Sequence, residues 1–275
     1  MLKFKESMRR ASETKGSPIV LALDLAGGDA ESLASGSIRI LEETAPYVCA
    51  LKLNSPMVLR LCLGEKIRDL IRLAHEHGLM TIMDAKLNDV SHINLAAAAQ
   101  YFDAGFDALI ASPFIGWEGG LDSTFKQARE RGKGVILLVH MSHRGAAEGY
   151  GQSVVDPATG QIRPQFIVFA EKALAWGADG VVVGATHVDK ISAVYRILEG
   201  EIPIYSPGLL TQGGSVKDAA EAGADYLIVG RSICNSENPG KTARSIRDEA
   251  ASYRAAHRPN LDRMSTGGRD RGRLF

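Results

Sequence analysis

Cysteine is scarce. The 275 residues hold three, Cys49, Cys62 and Cys234, with no CxxC pair and no even set for a disulfide framework. That excludes a small disulfide-stapled secreted scaffold and points to free thiols in a reducing compartment. Net charge is missing too, because 32 Lys and Arg balance 32 Asp and Glu. A global basic field for nucleic acid is thereby excluded, although a local basic patch is not. No apolar run reaches the roughly 18 residues of a membrane span. The N-terminal stretch MLKFKESMRRASETKG lacks the apolar core of a signal peptide, and Glu6 and Glu13 argue against a transit peptide. The expectation is a soluble, cytoplasmic protein with neither a nucleic-acid nor a membrane partner. Extensive disorder is excluded by the 45% hydrophobic content at zero net charge.

What is present alternates. Short apolar, β-branched runs at Ile19–Leu25, Val48–Leu53, Met80–Ala85, Ala108–Ala111, Val135–Val139, Gly180–Val183, Ile202–Ser206 and Tyr226–Val229 are separated by longer amphipathic stretches. Continuous rather than alternating apolarity suits parallel strands buried on both faces. The clearest helical pattern is Leu61–His77, with Gly78 as its stop. Three segments share one design: Ala104-Gly105-Phe106-Asp107, Trp176-Gly177-Ala178-Asp179 and Ala222-Gly223-Ala224-Asp225. In each, Gly suits a left-handed helix cap and Asp a tight turn into the next strand. Repetition of one βα unit, eight times in about 250 residues, is the size of a single TIM (β/α)8 barrel. A doubly wound sheet is the other reading, but Asp24-Leu25-Ala26-Gly27-Gly28 after the first strand is not the GxGxxG that such a sheet usually carries. The barrel domain is expected over residues 1–257, with 1–16 as an N-terminal helix or extension. Arg258–Phe275 reads as an Arg- and Gly-rich tail. Ala146–Arg163, rich in Gly, Gln, Pro and Asp, reads as a long loop on the catalytic face.

A TIM barrel places its active site at the C-terminal strand ends. There the first strand presents Asp24, the second Lys52, and the third runs through Asp84, Lys86 and Asp89. Asp84 and Lys86, two apart, are expected on one face. Two carboxylates, Asp84 and Asp89, flanking Lys86 would keep it protonated, suited to stabilise developing negative charge and then donate a proton. A barrel-mouth salt-bridge network is the structural alternative. After the seventh strand come Pro207-Gly208 and Gln212-Gly213-Gly214, and after the eighth Gly230-Arg231. These are the positions of the standard phosphate site of such barrels, where backbone N–H groups and an arginine fork meet the anion. Ser142, in a turn after the fifth strand, can donate to and accept from a planar polar ligand. His140 and His143 have metal-like spacing, but two histidines do not make a site, and no metal is assigned. His75 and His77 read as dipole-compensating residues at a helix end, and Trp117 and Trp176 as core or interface.

This set resembles orotidine 5′-phosphate decarboxylase. The residues that carry the likeness are Asp84-x-Lys86-x-x-Asp89 with Lys52 and Asp24, Met141-Ser142-His143-x-Gly145, Pro207-Gly208 with Gln212-Gly213-Gly214, and Val229-Gly230-Arg231-Ser232. They match its microbial, archaeal-like branch from about Pro18 to Ser232. The resemblance implies a cofactor-free decarboxylation to UMP by a homodimer with shared sites. Lys86 would protonate C6, Asp84 would sit beside the departing carboxylate, and Asp89 would reach into the other subunit's site. Asp24 and Lys52 would bind ribose hydroxyls, Ser142 the pyrimidine edge, and Gln212 and Arg231, with the backbone at Gly230, the phosphate. One departure stands out: Ile93 replaces a threonine of the family, with Ser91 and Asn94 as substitutes for its hydroxyl. Two other readings are a metal-dependent sister enzyme acting on sugar phosphates, which would carry a carboxylate where Lys52 stands, and a nucleotide-binding sensor without turnover.

Overall fold

In the computed structural model the described residues are 3–25, 27–155 and 159–257. The C-terminal tail expected at 258–275 lies outside them. Eight parallel strands close into one barrel: β1 (Ile19–Ala22), β2 (Ala50–Asn54), β3 (Met80–Leu87), β4 (Ala108–Ala111), β5 (Gly134–His140), β8 (Gly180–Val183), β9 (Ile204–Pro207) and β10 (Tyr226–Val229). Closure is made by β1 pairing with both β2 and β10, as in Leu21 beside Leu51 and Val229. The barrel expectation holds, with small shifts of the strand ends. Strands β1, β4, β5, β8 and β10 are buried at every position, which is why they read as unbroken apolar runs.

Alternation reappears in three dimensions. Ile19, Leu21 and Leu23 pack against the outer helices, whereas Val20 and Ala22 face the barrel interior with Ile82, Ile136, Val182 and Tyr205. The N-terminal end of the barrel is plugged by helix Phe4–Lys15, which buries Phe4, Met8 and Ala11 at helical spacing. Phe4 and Met8 join the interior cluster. The fit depends on Gly134: a Cβ there would meet the Phe4 ring at 2.4 Å.

All three repeated Gly-x-Asp units cap a helix with a left-handed glycine. Their aspartates reach further than a local turn. Asp107, Asp179 and Asp225 each accept the backbone N–H of the preceding barrel strand, from Thr81, Val135 and Ile204 respectively, at 2.9 to 3.0 Å. The motif therefore pins neighbouring strands at the end of the barrel opposite the active site.

Three expectations need correction. The pattern over Leu61–His77 is two helices, Ser55–Leu61 and Glu65–Glu76, separated at Cys62, whose φ of 56° breaks the helix. His75 does more than close that helix, because its Nε2 lies 2.8 Å from Asp107 Oδ2. The segment at 146–163 is not plain loop either. It holds a short helix, Ala146–Gly149, and an antiparallel hairpin of β6 (Ser153–Val155) with β7 (Ile162–Pro164). Trp117 and Trp176 pack on each other at 5.3 Å, beside Phe125 and against the core.

Candidate active site

A cavity of about 250 Å³ opens at the C-terminal strand ends. Asp24, Lys52, Asp84, Lys86, Ser142, Pro207, Gly208, Gln212, Gly230 and Arg231 all line it. Its floor is the barrel interior, with Ile110, Leu138, Val182 and Ile228 as apolar walls. One side is therefore ionic and the other fit for the face of a flat ring.

The ionic side alternates in sign. Asp84 lies between two ammonium groups, 2.9 Å from Lys52 Nζ and 2.6 Å from Lys86 Nζ. Lys52 in turn stands 4.0 Å from Asp24. The order is Asp24, Lys52, Asp84, Lys86. Lys52 is only 4% exposed. Burial works to lower its pKa, but Asp84 and Asp24 outweigh this and hold it above its ordinary value. Burial likewise works to raise Asp84, and the two lysines override it and hold the carboxyl below its ordinary range. The charges on Lys52 and Asp84 therefore persist through neutral pH, because each of these buried groups has opposite neighbours. Asp24 Oδ1, the oxygen that faces Lys52, is buried without a hydrogen-bond partner, and Asp24 lines the cavity.

Simple alternation does not explain how Asp84 and Lys86 meet. Register with β4 slips between Met83 and Leu87, and Lys86 has φ 47°. A left-handed lysine in a bulge is a strained arrangement of the kind found at functional sites. Asp89 corrects a second expectation. It does not line the cavity, its carboxylate accepts from the Val90 N–H at 2.7 Å, and it forms no ion pair among the described residues. Among the described residues Lys86 is paired with Asp84 alone, whereas Asp84 stands between two ammonium groups.

Opposite the ionic wall, Ser142 Oγ donates to Gln212 Oε1 at 2.9 Å. The loop carrying Gln212 is closed by Leu210 N–H to Gly214 O and Gly214 N–H to Gly208 O. Gly208 has φ 92°, and a Cβ there would stand 2.6 Å from Ser142 Cβ, so the close approach of the two loops requires glycine. Thr211 and Ser232 hydroxyls meet at 2.6 Å and tie this loop to the one bearing Arg231. Gly213 has φ 93° but does not line the cavity. Across the mouth, Arg60 donates to Gly27 O at 2.7 Å and so anchors the loop that follows Asp24.

A family model described as orotidine 5′-phosphate decarboxylase / HUMPS family matches residues 17–246. The chain belongs to this family. A Pyrococcus abyssi protein named orotidine 5′-phosphate decarboxylase is 36% identical over 231 residues, covering 84% of this chain and 98% of that one. A crystal structure of orotidine 5′-phosphate decarboxylase from Pyrococcus horikoshii superposes with a TM-score of 0.67 at 35% identity, covering 84% and 98%. The inhibitor complex of orotidine 5′-monophosphate decarboxylase from Methanocaldococcus jannaschii gives 0.71 at 26% identity, covering 84% and 96%.

Set against this family, the substitutes for the threonine at Ile93 are both engaged within the chain. Asn94 is buried and binds the Asp89 backbone, and Ser91 Oγ donates to Ser123 Oγ at 2.8 Å. Ile93 itself is 46% exposed, as is Val90. His140 is buried with Nδ1 2.8 Å from Met141 O, and His143 lines the cavity edge. The described residues contain no group of three metal-ligating side chains, and no described helix is long and apolar enough to cross a membrane. Sequence reasoning missed Met141, His143, Leu209 and Thr211 in the lining, and the apolar walls. The walls carried a signal, since every one is an interior-facing strand residue, but that signal is the same as for core.

Proposed function

We infer that the protein decarboxylates orotidine 5′-phosphate to UMP and CO₂, the last step of de novo pyrimidine synthesis, without a cofactor. The observation that carries this reading is the alternating array Asp24–Lys52–Asp84–Lys86 at the cavity wall. Breaking the C6–carboxylate bond leaves its electron pair on C6, where no adjacent carbonyl spreads it. An ammonium already in place stabilises that pair without reorganising during the reaction. The Lys86 proton then passes to C6, CO₂ departs, and the neutral amine is reprotonated from solvent. On this reading Asp84 faces the substrate carboxylate, and its charge, with that of Asp24, holds Lys52 in its charged form.

Remote groups fit the rest of the nucleotide. The Asp24 carboxylate at the cavity wall is an acceptor for a ribose hydroxyl, and Ser142 offers its hydroxyl to the pyrimidine edge. Arg231 has no ion pair among the described residues and lines the cavity beside Gly230 and Gln212, a setting for the phosphate. Binding energy gained there can order the site for the chemical step. The metal-dependent sister reading is disfavoured by Lys52, whose ammonium stands between Asp84 and Asp24 where a cation would need carboxylates to itself.

The protein acts as a cytoplasmic homodimer in which Asp89 of each chain completes the other's site. This rests on the family and on Asp89 lying outside its own cavity beside the exposed Val90 and Ile93.

The deciding experiment follows the orotate absorbance of orotidine 5′-phosphate with purified protein, with and without chelator. Loss of the band in both samples is the expected result. Loss only without chelator would point to the metal-dependent relative, and no loss in either to a nucleotide binder. Lys86→Ala should cost roughly 10³-fold or more in turnover, the order that a positioned proton donor supplies. A variant retaining appreciable turnover would remove Lys86 from its role.

A further inference from the structure

The segment that follows β8, Gly184-Ala185-Thr186, holds no group of the array and lines none of the cavity beyond Val182. It nonetheless touches both loops that would grip the nucleotide. Gly184 N–H donates to His140 O at 3.0 Å, Ala185 N–H to Pro207 O at 2.7 Å, and Thr186 Oγ1 to Ser142 O at 2.7 Å. The first bond continues the sheet. The other two fasten the ends of β5 and β9 to a common post.

Packing at this post leaves little slack. A Cβ on Gly184 would lie 2.5 Å from Ser142 Cα, and one on Gly214 would lie 2.9 Å from Ala185 Cβ. Backbone contact therefore fixes how near Ser142 stands, but not how its peptide is turned. Thr186 is the one side chain that bonds the Ser142 backbone among the described residues. We propose that Thr186 is a positioning residue: its hydroxyl sets the orientation of the Ser142 peptide, and with it the aim of the Ser142 hydroxyl that bonds Gln212. This rests on the nucleotide reading of the cavity given above.

The test is a double-mutant cycle read in two ways, turnover of orotidine 5′-phosphate and calorimetric binding of UMP. It compares wild type, Thr186→Val, Thr186→Ser, Ser142→Ala and Ser142→Ala/Thr186→Val. Valine keeps the shape and removes the donor, so Thr186→Val should weaken UMP binding and lower kcat/KM by about five- to tenfold, the value of one net hydrogen bond, while Thr186→Ser stays within about twofold of wild type. On the Ser142→Ala background the valine should add little further loss, because the group it positions is gone. An unchanged Thr186→Val, or an equal loss on both backgrounds, would overturn the proposal. If the wild type binds UMP but does not turn over substrate, the decarboxylase reading fails and the binding cycle still decides the role of Thr186. Failure of the wild type to bind UMP overturns both.

Discussion

Lys86 carries its ammonium on a backbone that an L-residue adopts at a cost of about 1 kcal/mol or more. Its φ of 47° and the slipped register of β3 with β4 bring Nζ to 2.6 Å from Asp84. Position and stability are therefore opposed at this residue. Lys86→Gly and Lys86→Ala remove the same ammonium and leave Lys52 paired with Asp84. Only glycine relieves the left-handed backbone, so Lys86→Gly should unfold at higher urea than Lys86→Ala by about 1 kcal/mol, with both inactive. Equal midpoints would mean that the bulge stores no strain.

Among the elements, the αβ turns show how one motif can have opposite electrostatic consequences. Asp107 and Asp179 each hold a backbone N–H of the neighbouring strand. Burial works to raise both. At Asp107 the bond from His75 and the charge of Lys133 outweigh it, leaving the carboxyl below its ordinary value of 3.8. At Asp179 burial prevails over the Val135 N–H and the more distant Lys5, and the carboxyl is raised above 3.8. A depressed carboxyl stabilises the fold above its unfolded pKa, and this is lost as pH falls through the native value. For a raised carboxyl the charged form is a burden at neutral pH, and the burden vanishes below the unfolded pKa. Asparagine keeps an acceptor at either site. Asp107→Asn should thus lower the urea midpoint at pH 7, and Asp179→Asn should raise it. Both differences should shrink as the pH falls below about 3.8. Midpoints falling equally in both variants at pH 7 would refute this assignment.

At the scale of the whole molecule, the proposed reading takes one carboxylate of each site from a second chain. Asp89 does not line its own cavity, and Val90 and Ile93 are exposed beside it. Sites shared across a dimer have a direct signature. Neither Asp89→Ala nor Lys86→Ala alone should sustain turnover. Mixed dimers of the two should recover about half of wild-type activity, and an unsorted equimolar mixture about a quarter, because one of the two sites in a mixed dimer regains a full set. Confirmed mixed dimers with no recovery would leave Asp89 serving its own chain or none. Ile93 is exposed near Asp89, and in the proposed dimer it would contribute apolar contact area rather than a hydroxyl.

Eight buried strands, their sequence order, the glycine-capped turns and the identity of Asp24, Lys52, Asp84, Lys86, Ser142 and Arg231 were all legible in the sequence. Apolar run length reports burial on both faces, and residue type at a strand end reports chemistry; both are local properties of the chain. What remained hidden depends on distance across the barrel. No local pattern says that β3 bulges so that Lys86 turns left-handed, that Asp89 leaves the cavity, or that the hairpin of β6 and β7 forms beside the mouth. Thr186 lies 44 residues from Ser142 and gave no signal, because its place is decided by closure. Only when β5, β8 and β9 stand side by side do their ends share one small volume, and which atoms meet there is set by the packing of the whole ring.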